Sequence, residues 1–279
     1  MSNYRKRRSY PGNSSPPRKK RNTGKKFLKG IAITLAVIAC ISLVAGLLPN
    51  RHADDKPTEP VKGNVSYSWD ERSYYWPIDR TVEDGYLTIT QSQGSGDTTS
   101  NCQQFFVTAA EGDSAFLPEW TDYTVETNFK LANYGARTDF SIMGRLQRID
   151  DGGFTYYQIV FRSDLEKVVL RKITQRSWGS KTATVLATSD PVFTREEFHN
   201  VKVSFAGDTI TVFVDDLATP ILVYKDVDPL VSGSVGIDLA RLGIATVDYI
   251  KVCDSDNVLF IDDFTDARYF PADSSEATE

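Results

Sequence analysis

Between residues 64 and 265 the hydrophobic pattern of this chain repeats every two residues, which restricts that stretch to strands with one buried face. The clearest case is Asn200–Asp216. Val201, Val203 and Phe205 alternate with Lys202 and Ser204, the chain turns at Ala206-Gly207-Asp208, and Ile210, Val212 and Val214 alternate with Thr209, Thr211 and Phe213. That pattern is a β-hairpin. Further runs read the same way: Tyr86–Gln91, Gln103–Thr108, Tyr123–Leu131, Phe140–Arg148, Phe154–Arg162, Lys167–Thr174, Thr182–Ala187, Ile221–Tyr224, Gly233–Leu239 and Ala245–Val252. Gly, Asp, Asn and Pro clusters bound them, and only Thr194–Phe198 suggests a single helical turn. About a dozen short strands at this spacing predict an all-β, two-sheet antiparallel jelly-roll sandwich.

One segment departs from that pattern. Ile31–Leu48 is apolar and uncharged, close to the minimum of roughly 18 residues that crosses a bilayer as a helix. Of the chain's 32 Lys and Arg residues, eleven lie in residues 1–30, which contain no acid, whereas all 37 Asp and Glu follow. Basic flanks stay cytoplasmic, so the expected topology is a single-pass signal-anchor with the N-terminus inside and residues 49 onward outside the cell. A cleaved signal peptide would have a shorter basic start and a small-residue cleavage site. Val37-Ile38-Ala39-Cys40 has the look of a lipoprotein processing box, but the run stays apolar through Leu48, so Cys40 is read as a thiol within the membrane helix. The expected organisation is therefore a basic cytoplasmic tail (1–30), a transmembrane helix (31–48), a stalk (49–63), the sandwich (64–265) and an acidic tail (266–279). The acidic ectodomain lacks the basic footprint that nucleic acid requires.

The order and spacing of several segments resemble a known superfamily. They are Glu83-Asp84-Gly85-Tyr86-Leu87, Asp122-Tyr123-Thr124-Val125-Glu126, Arg145 before Asp150-Asp151-Gly152-Gly153, Tyr156-Tyr157-Gln158, Val203–Asp216, Gly233-Ser234-Val235-Gly236-Ile237 and Val247-Asp248-Tyr249-Ile250. Over residues 65–253 they resemble the concanavalin A-like lectin/glucanase superfamily, in its laminin-G-like and 3-keto-disaccharide-hydrolase-like branch. The resemblance implies a curved sandwich whose concave sheet receives carbohydrate, in binding modules and in glycan-cleaving enzymes. One departure is Val258–Asp266, which looks like the opening strand of such a domain; here it is read as a strand closing the sheet beside the first.

Sugars offer C–H faces to aromatic rings and hydroxyls to fork-shaped side chains. On Phe154–Arg162, alternation sends Tyr156, Gln158 and Arg162 to one side and Tyr157, Ile159 and Phe161 to the core. On the preceding strand Ser141, Met143, Arg145 and Gln147 share a side. The candidate ligand-binding residues are therefore Trp120, Arg145, Tyr156, Gln158, Arg162 and Trp178, with Tyr134 a further loop aromatic. Trp69, Tyr74, Tyr75 and Trp76 read as cover for the sandwich edge.

Catalytic signals are few. The Glu-x-Asp-x-x-Glu segment of the glucanase branch is absent, and so are the serine-hydrolase and zinc-protease motifs. No catalytic residue is assigned. A glycoside hydrolase with carboxylates from different strands is the alternative to a lectin-like module, and an adaptor ectodomain binding a protein is the third reading. Asp254-Ser255-Asp256-Asn257 and Asp262-Asp263 offer oxygens for calcium, although a short run supplies only part of its six to eight ligands. Cys102 and Cys253 are candidates for one disulfide, the alternative being two free thiols.

Overall fold

A computed structural model describes residues 65–74, 79–92, 102–111, 114–132, 137–176, 180–255 and 257–270. The basic tail, the Ile31–Leu48 segment, the stalk, Trp178 and Asp273–Glu279 lie outside them. Among the described residues no helix is long and apolar enough to cross a membrane.

Among the described residues, sixteen strands form two antiparallel sheets. In chain order they are β1 (Ser66–Tyr74), β2 (Asp79–Glu83), β3 (Tyr86–Gln91), β4 (Cys102–Glu111), β5 (Ser114–Phe116), β6 (Tyr123–Ala132), β7 (Asp139–Arg148) and β8 (Phe154–Arg162). They continue as β9 (Lys167–Arg176), β10 (Ser180–Pro191), β11 (Phe198–Ala206), β12 (Thr209–Val214), β13 (Leu222–Lys225), β14 (Ser234–Ala240), β15 (Gly243–Cys253) and β16 (Val258–Asp262). Sheet A runs β1-β4-β14-β7-β8-β9-β10, with β5 on β4. Sheet B runs β13-β12-β11-β6-β15-β3-β2, with β16 on β15. The two-sheet antiparallel sandwich read from the sequence is thus the architecture observed.

The core lies between the sheets. Phe105, Val107, Phe140, Ile142, Tyr157, Ile159, Phe161, Val235, Ile237 and Leu239 come from sheet A. Leu87, Ile89, Val125, Phe129, Leu131, Val203, Phe205, Val212, Ala245 and Val247 meet them from sheet B. Each set follows the two-residue alternation along its strand, so the same pattern that forms the strands fixes which face is dry.

Three strands carry weak alternation signals. β1 packs Trp69 into the core at 2% exposure, so the Trp69 segment is the first strand of sheet A rather than a cover for its edge. β2 has a half-exposed pattern of charged residues, and β5 is only three residues long. Residues 194–198 form no helical turn; Phe198 already belongs to β11. The closing strand also differs from expectation. β16 pairs with Ile250–Cys253 of β15, continuing along the edge that β3 occupies at Gly243–Val247, and not with β1.

The segment after β16 returns to sheet A. Trp69 donates its backbone N–H to Tyr269 O at 2.7 Å, and its indole stacks on Phe270 at 6.1 Å. Its Nε1–H donates to Asp262 Oδ2 at 2.9 Å, while Asp262 Oδ1 accepts the Phe264 N–H at 3.0 Å. Asp262 is 1% exposed, and burial raises its pKa to about 6.

The largest break in alternation is on β7. Gly144 stands opposite Tyr157 and Gln147 opposite Thr155, so β7 uses three residues where β8 uses two. The extra residue is Arg145, a β-bulge with φ 49°, in the left-handed region that favours glycine. The bulge moves Arg145 off the face that carries Ser141 and Met143 and restores that face at Leu146. At 1% exposure Arg145 instead ties loops together. Its Nη1 donates to Gly207 O at 2.6 Å and Leu230 O at 2.5 Å, and its Nη2 to Thr121 O and Asp122 Oδ1, each at 3.2 Å. Its own backbone N–H donates to the Tyr123 hydroxyl at 2.6 Å. Two glycines make room: a Cβ on Gly144 would sit 2.1 Å from the Phe205 ring, and one on Gly233 (φ 141°) would sit 2.4 Å from the Arg145 carbonyl carbon.

Two outcomes follow. Replacing Arg145 by Ala leaves buried carbonyls without donors, so urea denaturation should show a loss of about 3 kcal/mol, read as a lower midpoint at unchanged slope. Because the folded pKa of Asp262 is raised, the folded chain keeps a proton that the unfolded chain releases from about pH 4 upward. Stability should therefore fall by up to about 3 kcal/mol between about pH 4 and 6 and then level off. Asp262→Asn should flatten that slope in a pH series of unfolding midpoints.

Candidate functional site

Sheet A is buried on both faces. On the side turned away from the core, β4 contributes Gln104 and Phe106, β14 Gly236 and Asp238, β7 Ser141 and Met143, β8 Tyr156 and Gln158, and β9 Arg171 and Ile173. The register aligns them in rows. Gln104 faces Asp238, which faces Ser141. In the next row Phe106 faces Gly236, which faces Met143, then Gln158 and Arg171. Tyr156 and Ile173 make the start of a third row.

One end of this face is apolar. Phe106, Met143, Leu146, Phe154, Tyr156 and Ile173 form a satellite cluster with Leu117 against it. The Arg72 guanidinium lies 4.7 Å from the Phe154 ring centroid and 5.1 Å from that of Phe106. The other end is polar and equally buried: Gln104, Asp238, Ser141 and Gln158 are at most 4% exposed. Gln104 Nε2 donates to Asp238 Oδ2 at 3.1 Å and sits 3.3 Å from the Tyr156 hydroxyl. Gln158 Nε2 donates to Ser141 Oγ at 3.2 Å. Two acceptors are left over. Asp238 Oδ1 and Gln158 Oε1 are buried with no hydrogen-bond partner. A buried polar atom left unpaired costs roughly 1–3 kcal/mol, so two on β14 and β8, with β7 between them, mark a candidate place for donors.

Charges at the rim tune this floor. Burial raises the Asp238 pKa, Lys181 and Gln104 oppose the rise, and Asp139 adds to it. Burial disfavours the Lys181 ammonium, but Tyr156 and Asp238 reverse the balance and hold it above the ordinary lysine value. Asp139 lies diagonal to Asp238, since Asp238 faces Ser141 and Ala240 faces Asp139. Arg137 chelates Asp139 through Nε and Nη2, and Arg241 Nε stands 3.5 Å from it.

The structure describes five of the six candidate ligand residues and separates them. Tyr156 and Gln158 share this face, although Tyr156 is 1% exposed and its ring belongs to the satellite cluster, so it offers no stacking surface. Arg162 is on the same strand farther along, and its Nη2 donates to Asp164 at 2.8 Å. Arg145 is not with them, because the bulge turns it into the clamp between loops. Trp120 is at the end of the core, its ring 6.1 Å from those of Tyr67 and Tyr123. Trp178 and Tyr134 lie outside the described residues.

Asp238, the residue that sequence reading passed over, left a signal. It is an acid in the middle of the Val235-Ile237-Leu239 alternation, where a turn role is excluded.

The disulfide is corrected. Cys102 and Cys253 are free thiols. Cys102 stands opposite Ala240, just before the start of β15, and Cys253 ends that 11-residue strand in the other sheet. At about 3.3 Å per residue they are roughly 30 Å apart, far beyond the reach of a disulfide. The calcium candidates have local partners. Asp254 Oδ1 accepts the Asn257 N–H at 2.7 Å, and Asp262 holds Trp69 and Phe264. Among the described residues no three His, Cys, Asp or Glu converge as a metal site.

No family model and no curated protein matches this chain. Solved structures do. The carbohydrate-binding module CBM66 from Bacillus subtilis is 14% identical, with a TM-score of 0.47 over 67% of this chain and 96% of that one. A Bacillus subtilis protein of unknown function with a galectin-like fold is 13% identical, with a TM-score of 0.49 over 66% and 88%. A Bacillus licheniformis β-glucanase is 12% identical, with a TM-score of 0.46 over 70% and 100%. Likeness this distant leaves function to the geometry of the face itself.

With Cys102 and Cys253 free, a reductant should leave the thermal unfolding midpoint unchanged, and a thiol-reactive reagent should count both together with Cys40 once the chain is unfolded.

Proposed function

We propose that the outer face of sheet A binds carbohydrate, in a domain displayed outside the cell by the Ile31–Leu48 segment as a bilayer anchor. The observation that carries this reading is the pair of buried, unpartnered acceptors, Asp238 Oδ1 and Gln158 Oε1, on adjacent parts of one sheet face. Saccharide hydroxyls are donors and acceptors at once. They satisfy these oxygens and also receive hydrogen bonds from Gln104, Lys181 and Arg171 around them. The satellite cluster beside the polar floor supplies an apolar wall for C–H groups.

One observation favours a second reading, glycoside hydrolysis. Asp238 and Asp139 are two carboxyl groups on neighbouring strands of this face, and burial keeps the first protonated to higher pH than usual. Glycoside cleavage uses a pair of carboxyl groups, one of which holds its proton. Product analysis on a glycan panel decides it: turnover abolished by both Asp238→Asn and Asp139→Asn establishes an enzyme, and binding without turnover establishes a module.

The test of the binding reading is Asp238→Asn in the full chain. The amide keeps the shape and can accept from Gln104, but it presents a donor where Oδ1 was an acceptor. Calorimetric titration should show glycan affinity lower by about tenfold or more. The unfolding midpoint at neutral pH should rise, because a carboxylate whose pKa is raised by folding costs stability above that pKa. A variant that loses stability and keeps its affinity would make Asp238 a structural residue and remove the site.

A further inference from the structure

Arg171 is the one feature of this face that a neutral sugar does not use fully. It is on β9 directly opposite Gln158, half-buried, on the same side as the unpartnered Gln158 Oε1 and one row from Ile173 of the satellite cluster. Its neighbours of the same charge are engaged: Arg72 pairs with Asp70, Arg137 and Arg241 with Asp139, and Arg162 with Asp164. Arg171 has no ion pair and no hydrogen-bond acceptor among the described residues; Asp139 and Asp238 act on it only at a distance. Burial penalises its charge, which holds the guanidinium below the usual arginine value. A planar fork of donors, partly desolvated and without an acceptor, matches a carboxylate or sulfate oxygen pair. Lys181, on the next strand opposite Gln175, adds a second positive charge that acts on Tyr156 and Asp238.

Resting on the reading of this face as a glycan site, we propose that its ligand is an acidic saccharide, whose anionic group pairs with Arg171 while ring hydroxyls donate to Asp238 Oδ1 and Gln158 Oε1. The two kinds of empty partner then have complementary occupants on one sugar residue: acceptors for hydroxyls and a cation for the acid. A uronate carboxylate and a sulfate ester share this chemistry, and the probes below separate them.

The test titrates the full chain with polygalacturonate and its methyl ester, and with dextran sulfate and dextran, at low and high salt. The expected result is that at least one acidic polymer binds about tenfold or more tighter than its neutral counterpart. That preference should weaken with salt. Which pair shows it identifies carboxylate or sulfate. Arg171→Gln should erase the preference at an unchanged unfolding midpoint, since the side chain holds no partner whose loss would destabilise the fold. Arg171→Lys should keep part of it, as a charge without the fork. Equal affinity for acidic and neutral forms, or a preference that survives Arg171→Gln, overturns the acidic-ligand inference while leaving a glycan site in place. A folded chain that binds none of the four polymers removes the glycan reading and this inference with it.

Discussion

The bulge at Arg145 is the constraint that shapes both faces of sheet A. A non-glycine residue in the left-handed region costs on the order of 1 kcal/mol, and it persists only where its surroundings fix it. Here they do: Tyr123 holds its N–H, and carbonyls from Thr121, Gly207 and Leu230 converge on its guanidinium. The segment before β6, the β11–β12 turn and the loop before β14 all meet at this one side chain. The same insertion shifts the phase of β7, so that Leu146 and Arg148, not Arg145 and Gln147, continue the face begun by Ser141 and Met143. The clamp and the composition of the outer face are one geometric event.

That phase shift explains what was legible in the sequence and what was not. Alternation located twelve strands and the core sides of Phe154–Arg162, because burial on one face of a strand writes itself into every second residue. A bulge of one residue with a non-glycine at its centre leaves no such mark, so Arg145 was read onto the wrong side. β1 was hidden for a different reason. Its core residue Trp69 alternates with Ser68, Asp70 and Arg72, which resembles the charged stalk before it. Pairing across the chain was the third gap. Cys102 and Cys253 flank the strands that close the sandwich, but sequence gives no direction along β15, and the thiols fall at opposite ends of it.

Face A also departs from the usual economy of a sandwich, in which the side away from the core is wet. Its polar groups are nearly as buried as the core. A floor of Gln104, Asp238, Ser141 and Gln158 would be served more cheaply by Thr, Val or Ile, which satisfy a strand without orphaned atoms. The chain retains the polar set, and two of its acceptors, Asp238 Oδ1 and Gln158 Oε1, stay unpaired.

Three buried carboxylates sharpen that contrast. Burial raises the pKa of Asp262 and of Asp238 alike, so desolvation by itself does not distinguish them. Partner accounting does. Asp262 has an indole N–H on one oxygen and a backbone N–H on the other, and it joins the last strand to the first. Asp226 is likewise used in full, by Tyr157, Lys172 and the Asp228 N–H, and it fastens the loop that Arg145 clamps. Asp238 has Gln104 on one oxygen and nothing on the other. The first two acids spend their burial on holding the fold together. The third leaves one buried oxygen without a partner, and that difference follows from the partners each acid has, not from its pKa.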